Sequence, residues 1–124
     1  MGADRRHRLG AAGESLAVEH LVRLGYRIVE RNFRTRLGEL DIVALDGRTL
    51  AFCEVKTRRR GGRTGGALEA VTAAKRARVR RMAAAWLAQR SDRPYAPSIR
   101  FDAIAVTVDG AGRLVALEHL RGVF

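Results

Sequence analysis

The chain has 124 residues, 47% of them hydrophobic and 30% charged, which suits one folded domain over residues 1–124. Lysine and arginine number 24 against 13 aspartates and glutamates, and the net charge of +11 predicts a polyanionic partner, first of all nucleic acid. No apolar run is long enough to cross a membrane, and Gly10, Gly13 and Glu14 interrupt the stretch that a secretory signal would need. We therefore expect a cytoplasmic protein with no membrane partner.

In chain order, the N-terminal part predicts a basic arm, a helix and a strand. Residues 1–9 carry several arginines with little to bury, which indicates a mobile arm. Apolar residues then recur with a helical period over about residues 10–24, and Gly25 is placed to end that helix. Residues 26–33 mix β-branched and aromatic residues with polar ones, which predicts a strand.

The middle of the chain predicts a hairpin, a loop and a long helix. Two strand-forming runs, residues 38–47 and 50–58, meet at Asp46-Gly47, a strong signal for an antiparallel hairpin. Residues 58–66 are basic and glycine-rich, which is typical of a flexible loop. Residues 67–89 carry an apolar stripe with the period of a helix. The stripe contains Leu68, Val71, Val79, Met82 and Trp86.

Two further strands complete the predicted fold. Pro94 and Pro97 mark a connection, residues 99–108 alternate in the manner of a strand, and Asp109-Gly110 offers a turn into a last strand over residues 114–120. The element order is then αβββαββ. This order predicts the α/β fold class, with a mixed central sheet flanked by helices.

The predicted hairpin brings acidic and basic side chains onto one face. Successive strand residues point to opposite faces, so Glu54 and Lys56 share a face. A two-residue loop at Asp46-Gly47 would place Asp41 diagonal to Glu54, and a loop centred one residue later would place the two opposite each other. Either register puts both carboxylates within reach of one divalent cation. A three-residue loop would break this parity.

Two interpretations of this set stay open. In the first, Lys56 forms a cross-strand salt bridge with Glu54 or Asp41 on a solvated face and does no chemistry. In the second, Asp41 and Glu54 supply hard oxygen ligands to Mg²⁺ or Mn²⁺, with the backbone carbonyl of Val55 as a further ligand. Lys56 would then orient or deprotonate an attacking water, or neutralise charge in the transition state.

Three other charged residues are unusual for their positions. Glu39 lies two residues before Asp41, either as a third ligand or as a solvent-side charge. Glu14 falls on the apolar stripe of the first helix, where it either favours the positive end of the helix dipole or reaches the metal site. Lys75 lies in the apolar stripe of the long helix, so it either extends past the core to solvent or approaches the carboxylates or a scissile phosphate.

Arginines in the basic loop and the long helix would surround such a site with charge that binds a nucleic-acid backbone. These residues are Arg58, Arg59, Arg60, Arg63, Arg76, Arg78, Arg80 and Arg81. Charge runs of this kind are also common on solvated surfaces. Their position next to the acidic hairpin in the sequence favours a role in binding nucleic acid.

The motifs around these residues resemble those of known nucleases. Asp41, a spacer and Glu54-Val55-Lys56 resemble the D...(D/E)xK signature of the restriction-endonuclease-like superfamily, with Leu40 where that signature has proline. A wider set is similar to the YraN family of bacterial proteins, predicted to be endonuclease-related. The motifs of this set are Gly13-Glu14, Gly25-Tyr26, Arg31-Asn32, Gly38-Glu39-Leu40-Asp41, Glu54-Val55-Lys56-Thr57-Arg58 and Phe101-Asp102.

The resemblance implies a restriction-endonuclease-like fold, which the family shares with archaeal Holliday junction resolvases. In those enzymes a helix glutamate, a strand aspartate and the ExK motif bind metal and cut branched DNA. Matched by position, Glu14 corresponds to the helix acid and Asp41 to the strand aspartate. Glu54 and Lys56 correspond to the ExK pair.

Three functional hypotheses follow from the sequence. The first is Mg²⁺-dependent hydrolysis of DNA phosphodiester bonds by an activated water, as in branched or repair-intermediate DNA. The second is a nucleic-acid-binding or repair-accessory domain that keeps the nuclease fold without turnover, its carboxylates held in salt bridges. The third, a structural partner-binding protein, leaves Glu14 and Lys75 unexplained. Junction cutting needs two active sites, which a symmetric homodimer would provide, with strand 114–120 as one candidate contact.

Overall fold

The computed structural model describes residues 2–61, 69 and 71–124, and it has the predicted αβββαββ order. In chain order the elements are α1 (Gly2–Arg23), β1 (Arg27–Thr35), β2 (Gly38–Asp46), β3 (Thr49–Arg59), α2 (Ala73–Gln89), β4 (Ser98–Val108) and β5 (Leu114–Leu120). In the part of the chain that the structure describes, neither helix combines the length and the apolar character needed to cross a membrane.

The five strands form one mixed sheet in the order β1-β2-β3-β4-β5. Neighbouring strands are antiparallel except β3 and β4, which are parallel. The chain leaves β3 at one end of the sheet, and the crossover through α2 returns it to the other end, where β4 begins. The core lies on both faces of the sheet. Phe52 and Trp86 lie in the cluster under α2, whereas Leu21 and Ile42 lie in the cluster under α1. The predicted mixed sheet flanked by helices is confirmed.

Helix α1 begins at Gly2, so the predicted helix start near residue 10 is wrong and the helix includes residues 2–9. Alanine, arginine and leucine favour helix, and no residue in that segment stops it. Gly25 ends the helix as predicted, with φ at +91°. Its N–H donates to the carbonyl of Val22, and the N–H of Tyr26 donates to that of Leu21. This is a Schellman motif, with Tyr26 and Leu21 in one apolar cluster.

The hairpin between β2 and β3 has a two-residue loop of Gly47 and Arg48, because Asp46 pairs with Thr49. Gly47 has φ at +62°, the positive value that such tight hairpin loops require. The loop is thus centred one residue later than Asp46-Gly47, the second of the two registers considered above. Ile42 pairs with Cys53, and the next position in this register sets Asp41 against Glu54.

Helix α2 begins at Ala73 rather than near residue 67, because the hydroxyl of Thr72 caps it by accepting the N–H of Lys75 at 3.1 Å. Val71, predicted within the helix, therefore precedes it, and Leu68 lies outside the described residues. Strand β3 runs on through Arg59, so the predicted loop starts later, and its residues 62–66 also lie outside the described residues. The stripe of Val79, Met82 and Trp86 is buried as predicted.

The turn between β4 and β5 is longer than the predicted Asp109-Gly110 turn. The carboxylate of Asp109 accepts hydrogen bonds from the backbone N–H groups of Ala111 and Arg113, at 2.8 and 2.9 Å. These hydrogen bonds stabilise a wider loop than a two-residue turn. The last strand nevertheless spans Leu114–Leu120, as predicted.

Candidate metal centre

Asp41 and Glu54 meet where β2 and β3 lie side by side. Glu54 is 9% exposed and Asp41 is partly buried. One oxygen of Asp41, Oδ2, accepts the backbone N–H of Val55 at 2.7 Å. The hairpin register sets the Asp41 carboxyl group beside that of Glu54. The two groups are therefore neighbours in a site that is largely removed from water.

The electrostatics of the pair favour the protonated state. Burial, followed by the negative charge of Glu54, raises the pKa of Asp41 to about 8, and Glu14 raises it further against the opposing bond from Val55. Burial also raises the pKa of Glu54, although the positive charge of Lys75 opposes it. Two like charges this close cannot both ionise cheaply in a desolvated site. Among the described residues, neither Asp41 nor Glu54 forms a salt bridge with a lysine or an arginine.

Two further carboxylates complete the acidic cluster. Ligand oxygens of Glu14, Glu39 and Asp41 lie within 4.8 Å of one another, and all three residues are partly buried. Such a group can hold a metal ion, because carboxylates are hard oxygen ligands. The structure thus places Glu14 and Glu39 beside Asp41. Of the two interpretations given for each, it favours the one in which they join the site.

Gly13 explains how Glu14 comes so near the sheet. It is buried, and a Cβ atom built on it would overlap the side chain of Thr57 on β3, lying 2.6 Å from the Thr57 Cβ atom. Only glycine allows α1 to approach β3 this closely without a shift. The following residue, Glu14, is consequently held against the acidic end of the hairpin.

Asn32 on β1 links the outer carboxylates, a role that the sequence reasoning missed. Its Nδ2 atom donates to Oε1 of Glu14 at 2.5 Å and to Oε1 of Glu39 at 2.7 Å. Asn32 has φ at +57°, a left-handed conformation that asparagine tolerates better than most residues. The Arg31-Asn32 motif was noticed in the sequence, but neither propensity nor periodicity predicts a positive φ inside a strand.

This conformation changes the alternation of β1. Glu30 contacts α2, because its Oε1 accepts the indole N–H of Trp86 at 2.8 Å, and Phe33 packs in the same cluster as Trp86. Residues three apart in a regular strand face opposite sides of the sheet. Glu30 and Phe33 nevertheless lie on the same side of the sheet, and the left-handed backbone of Asn32 between them accounts for this. The Asn32 side chain itself lies on the α1 side.

The two lysines predicted near the site differ in what the structure shows. Lys56 is partly buried two residues beyond Glu54 on β3, and among the described residues it forms no ion pair with Asp41 or Glu54. The cross-strand salt bridge is therefore not formed. Lys75 lies near the start of α2 and is partly buried. Its positive charge opposes the rise that burial causes in the pKa of Glu54. Of the two interpretations given for Lys75, this charge effect favours the one in which it approaches the carboxylates.

Two of the arginines predicted to bind nucleic acid form hydrogen bonds within the chain. Arg58 donates from Nε to the hydroxyl of Thr107 at 3.0 Å. Arg80 donates to the backbone carbonyl of Phe124 at 2.6 Å and lies over the ring of Phe101, which makes it part of the packing. Arg63 lies outside the described residues. The remaining members, all exposed, are Arg59, Arg60, Arg76, Arg78 and Arg81.

A cleft of about 560 Å³ opens beside the acidic cluster, between α1 and the strands β1 and β2. It is lined by Gly10, Ala11, Glu14, Ser15, Arg31, Asn32, Arg34 and Glu39. Three of these residues, Glu14, Asn32 and Glu39, belong to the cluster itself. A ligand in this cleft would therefore lie next to the carboxylates.

A second buried carboxylate, Asp102 on β4, has a different environment. It is fully buried, and its oxygens accept from Nε and NH2 of Arg100 at 2.9 and 3.0 Å and from the Gly122 N–H at 3.1 Å. His119 Nε2 lies 2.9 Å from Oδ2, and the other ring nitrogen of His119 lies 3.0 Å from His20 Nε2. Burial alone would raise the pKa of Asp102, but these hydrogen bonds lower it to about 2.

Sequence comparison identifies the family. Residues 13–106 match the model of the Uncharacterised protein family UPF0102. A UPF0102 protein of Frankia alni is 50% identical over 125 residues, covering 100% of both chains. One of Frankia casuarinae is 50% identical over 117 residues, 94% of this chain and 95% of that protein. A third, from Mycolicibacterium vanbaalenii, is 44% identical over 98% of each chain.

The chain belongs to the UPF0102 family. UPF0102 is the YraN family whose motifs the sequence resembles. The UPF0102 match includes every carboxylate of the acidic cluster and also Lys56 and Lys75, and it ends within β4, before His119.

Proposed function

We propose that this UPF0102 protein is a metal-dependent endonuclease that hydrolyses phosphodiester bonds of DNA, in branched or repair-intermediate structures. The observation that carries the proposal is the Asp41–Glu54 pair, two neighbouring carboxyl groups whose pKa values are both raised by burial. A divalent cation would displace the protons that these raised pKa values favour, and it would offset the negative charge of the pair. Perturbed carboxyl groups of this kind are typical of functional sites.

The donor set fits a hard cation such as Mg²⁺ or Mn²⁺. Asp41, Glu54 and Glu14 would hold it, with the Val55 carbonyl as a further ligand and Glu39 beside them. When bound, such an ion polarises a phosphoryl oxygen and lowers the pKa of an attacking water. The Val55 N–H holds Asp41 Oδ2 in place, which leaves Oδ1 to serve as the ligand atom.

The lysines and arginines support the same reaction. Lys56 shares a strand face with Glu54 and forms no ion pair with any residue that the structure describes, so its ammonium group can orient the attacking water or neutralise charge in the transition state. Lys75 and Arg78 place positive charge near Glu54, where a scissile phosphate would need it. The net charge of +11 favours association with a polyanion.

Cleavage assays with the purified protein test the proposal. Labelled linear, flap and four-way DNA would be incubated with Mg²⁺, Mn²⁺ or EDTA, beside Asp41→Asn and the charge-matched control Glu19→Gln, an exposed α1 residue. We expect metal-dependent cutting that Asp41→Asn abolishes and Glu19→Gln retains. Metal binding is measured separately, because a cation that binds the folded state raises the melting temperature. Equal melting shifts in wild type and Asp41→Asn would refute the metal site.

One observation favours a second candidate, a nucleic-acid-binding or repair-accessory domain without turnover. The Asn32 amide already bridges Glu14 and Glu39, so part of the acidic cluster is satisfied without a cation. Such a protein would bind DNA equally well in EDTA and in Mg²⁺ and would cut none of the substrates above. That result would replace the endonuclease proposal with this one.

A further inference from the structure

The cleft between α1 and β1 has features of a binding site that the predicted nucleic-acid-binding arginines do not explain. Two of its lining residues, Arg31 and Arg34 on β1, lie outside the set of arginines expected to bind nucleic acid. Its volume of about 560 Å³ lies within the range common for ligand sites. Its α1 wall consists largely of Gly10, Ala11 and Ser15, small residues that let a polymer backbone approach closely.

The arginines of the cleft are free to bind an anion. Arg31 is exposed and makes no hydrogen bond or ion pair with any residue in the described ranges 2–61, 69 and 71–124. The Arg34 side chain is 83% exposed, and its Nε lies 3.4 Å from Oε2 of Glu39. An ion pair this long and this exposed contributes little stability, so a phosphate can displace it. Guanidinium groups suit phosphate because they donate in a planar fork.

The position of the cleft relative to the acidic pair indicates how a strand would run. Asp41 is next to Glu14, which lines the cleft on the α1 side. Glu54 instead lies near Lys75 and Arg78, whose positive charges oppose the rise in its pKa. These two residues are on α2, on the other side of the sheet from α1. The acidic pair therefore lies between two cationic regions, one on each side of the sheet. A strand that contacts both would place an internal phosphodiester at the carboxylates.

We infer that the α1–β1 cleft binds a phosphate of the substrate strand next to the scissile bond, through Arg31 and Arg34. The inference deepens the proposed function, on which it rests for the identity of the polyanion. It assigns two positioning residues on one side of the scissile phosphate, with Lys75 and Arg78 on the other.

Binding measurements without metal test the cleft directly. Anisotropy of a labelled oligonucleotide, single-stranded or duplex, would be followed in EDTA over a range of salt for Arg31→Ala, Arg34→Ala and the double variant. The control is Arg27→Ala, which removes the same charge from an exposed site on the same strand, outside the cleft. We expect each cleft variant to bind about 3- to 10-fold more weakly, and the salt dependence to fall by about 0.7 to 0.9 in log–log slope per lost contact.

The outcomes separate this inference from the proposed function. Equal affinities for the cleft variants and Arg27→Ala would overturn the cleft as a phosphate site, even if metal-dependent cutting is found. Weaker binding by the cleft variants, with no cutting by any form of the protein, would establish the cleft and refute the endonuclease. The variants are folded if their melting temperatures in EDTA equal that of the wild type. In a separate assay, cleavage of circular DNA shows that the bond that is cut is internal, because a circle has no ends.

Discussion

Asp41, which is partly buried, and Asp102, which is fully buried, are aspartates of the central sheet whose pKa values move in opposite directions. Asp102 has a guanidinium, an imidazole and a backbone N–H as partners, and its pKa falls to about 2 although it is fully buried. Asp41 has one backbone N–H and otherwise carboxyl groups as neighbours, and its pKa rises to about 8. Burial is common to both sites. The presence or absence of a cationic partner decides the direction.

The comparison teaches where a functional site should be sought. The Asp102 network also ties Arg100 to Asp46 at 3.0 Å and to the Tyr26 hydroxyl at 2.8 Å, so its polar groups are mutually satisfied. Such a network stabilises the fold and has little to offer a ligand. The acidic cluster is the opposite case, because the raised pKa of Asp41 shows that its negative charge is poorly compensated within the described residues.

The largest expected effect is that of Asp102→Asn. The substitution removes a buried charge from Arg100 and His119, and loss of one partner of a buried ion pair typically costs about 3 to 5 kcal/mol. Denaturant unfolding should show a loss of this order, with DNA cleavage by the remaining folded protein unchanged. A loss below about 1 kcal/mol would mean that the network contributes little and that the comparison with Asp41 fails.

Asp41→Asn is expected to stabilise the protein. Asparagine can still accept the Val55 N–H and carries no charge, so its repulsion with Glu54 disappears while the hydrogen bond to Val55 remains. We expect a gain of about 1 to 3 kcal/mol near pH 8 in EDTA, measured by denaturant unfolding. A loss of stability would show that the Asp41 carboxyl is structural.

The pH dependence sharpens this prediction. The folded state binds a proton at Asp41 that the unfolded state has lost, so Asp41 lowers stability progressively as pH rises from 3.8 through about 8. Above 6.5, the ordinary pKa of histidine, wild type should therefore lose stability with rising pH, and Asp41→Asn should not. Parallel curves for the two proteins would contradict the raised pKa.

Asn32→Asp tests the partial compensation of the acidic cluster. Aspartate tolerates the left-handed backbone as asparagine does, so the change isolates the amide donor. Without that donor, Glu14 and Glu39 meet another carboxylate, and we expect a loss of about 1 to 2 kcal/mol in EDTA. Mg²⁺ should restore most of the loss, which thermal unfolding with and without the ion would measure. Unchanged stability in EDTA would show that the Asn32 amide compensates nothing.

His20→Phe should have the smallest effect. Phenylalanine keeps the edge-on contact with the His119 ring and removes the hydrogen bond between the two rings. The expected loss is about 0.5 to 1.5 kcal/mol at neutral pH. Burial, His119, Arg121 and Arg23 lower the pKa of His20, so wild type should also lose stability as pH falls below 6.5. That decline should be weaker in the variant.

The sequence predicted the parts of this molecule that depend on neighbours along the chain. Asp41, Glu54 and Lys56 share one hairpin, and alternation in a strand with a two-residue loop is enough to bring the two carboxylates together. The strand Leu114–Leu120 and the stop at Gly25 likewise follow from local signals.

What the sequence did not predict depends on distant partners or on rare backbone conformations. Asn32 reaches Glu14 only because its φ is positive, which no periodicity reveals. The Asp102 network draws its partners from β4, β5 and the segment after β5, and His20 and His119 are 99 residues apart. No pattern in a single sequence brings such residues together. The cleft arginines were missed because they lie on β1, far in sequence from the basic loop.

The sheet topology also separates the two aspartates in the order of folding. Asp41 and Val55 are 14 residues apart on one hairpin, and hairpins form within about 1 to 10 μs. Arg100 and Tyr26 are 74 residues apart, so their contact must wait for the slow closure of a long loop across the parallel β3–β4 junction. We therefore expect Asp41 and Glu54 to come together early in folding. The hydrogen bonds of the Asp102 network, which stabilise the sheet, are expected to form late.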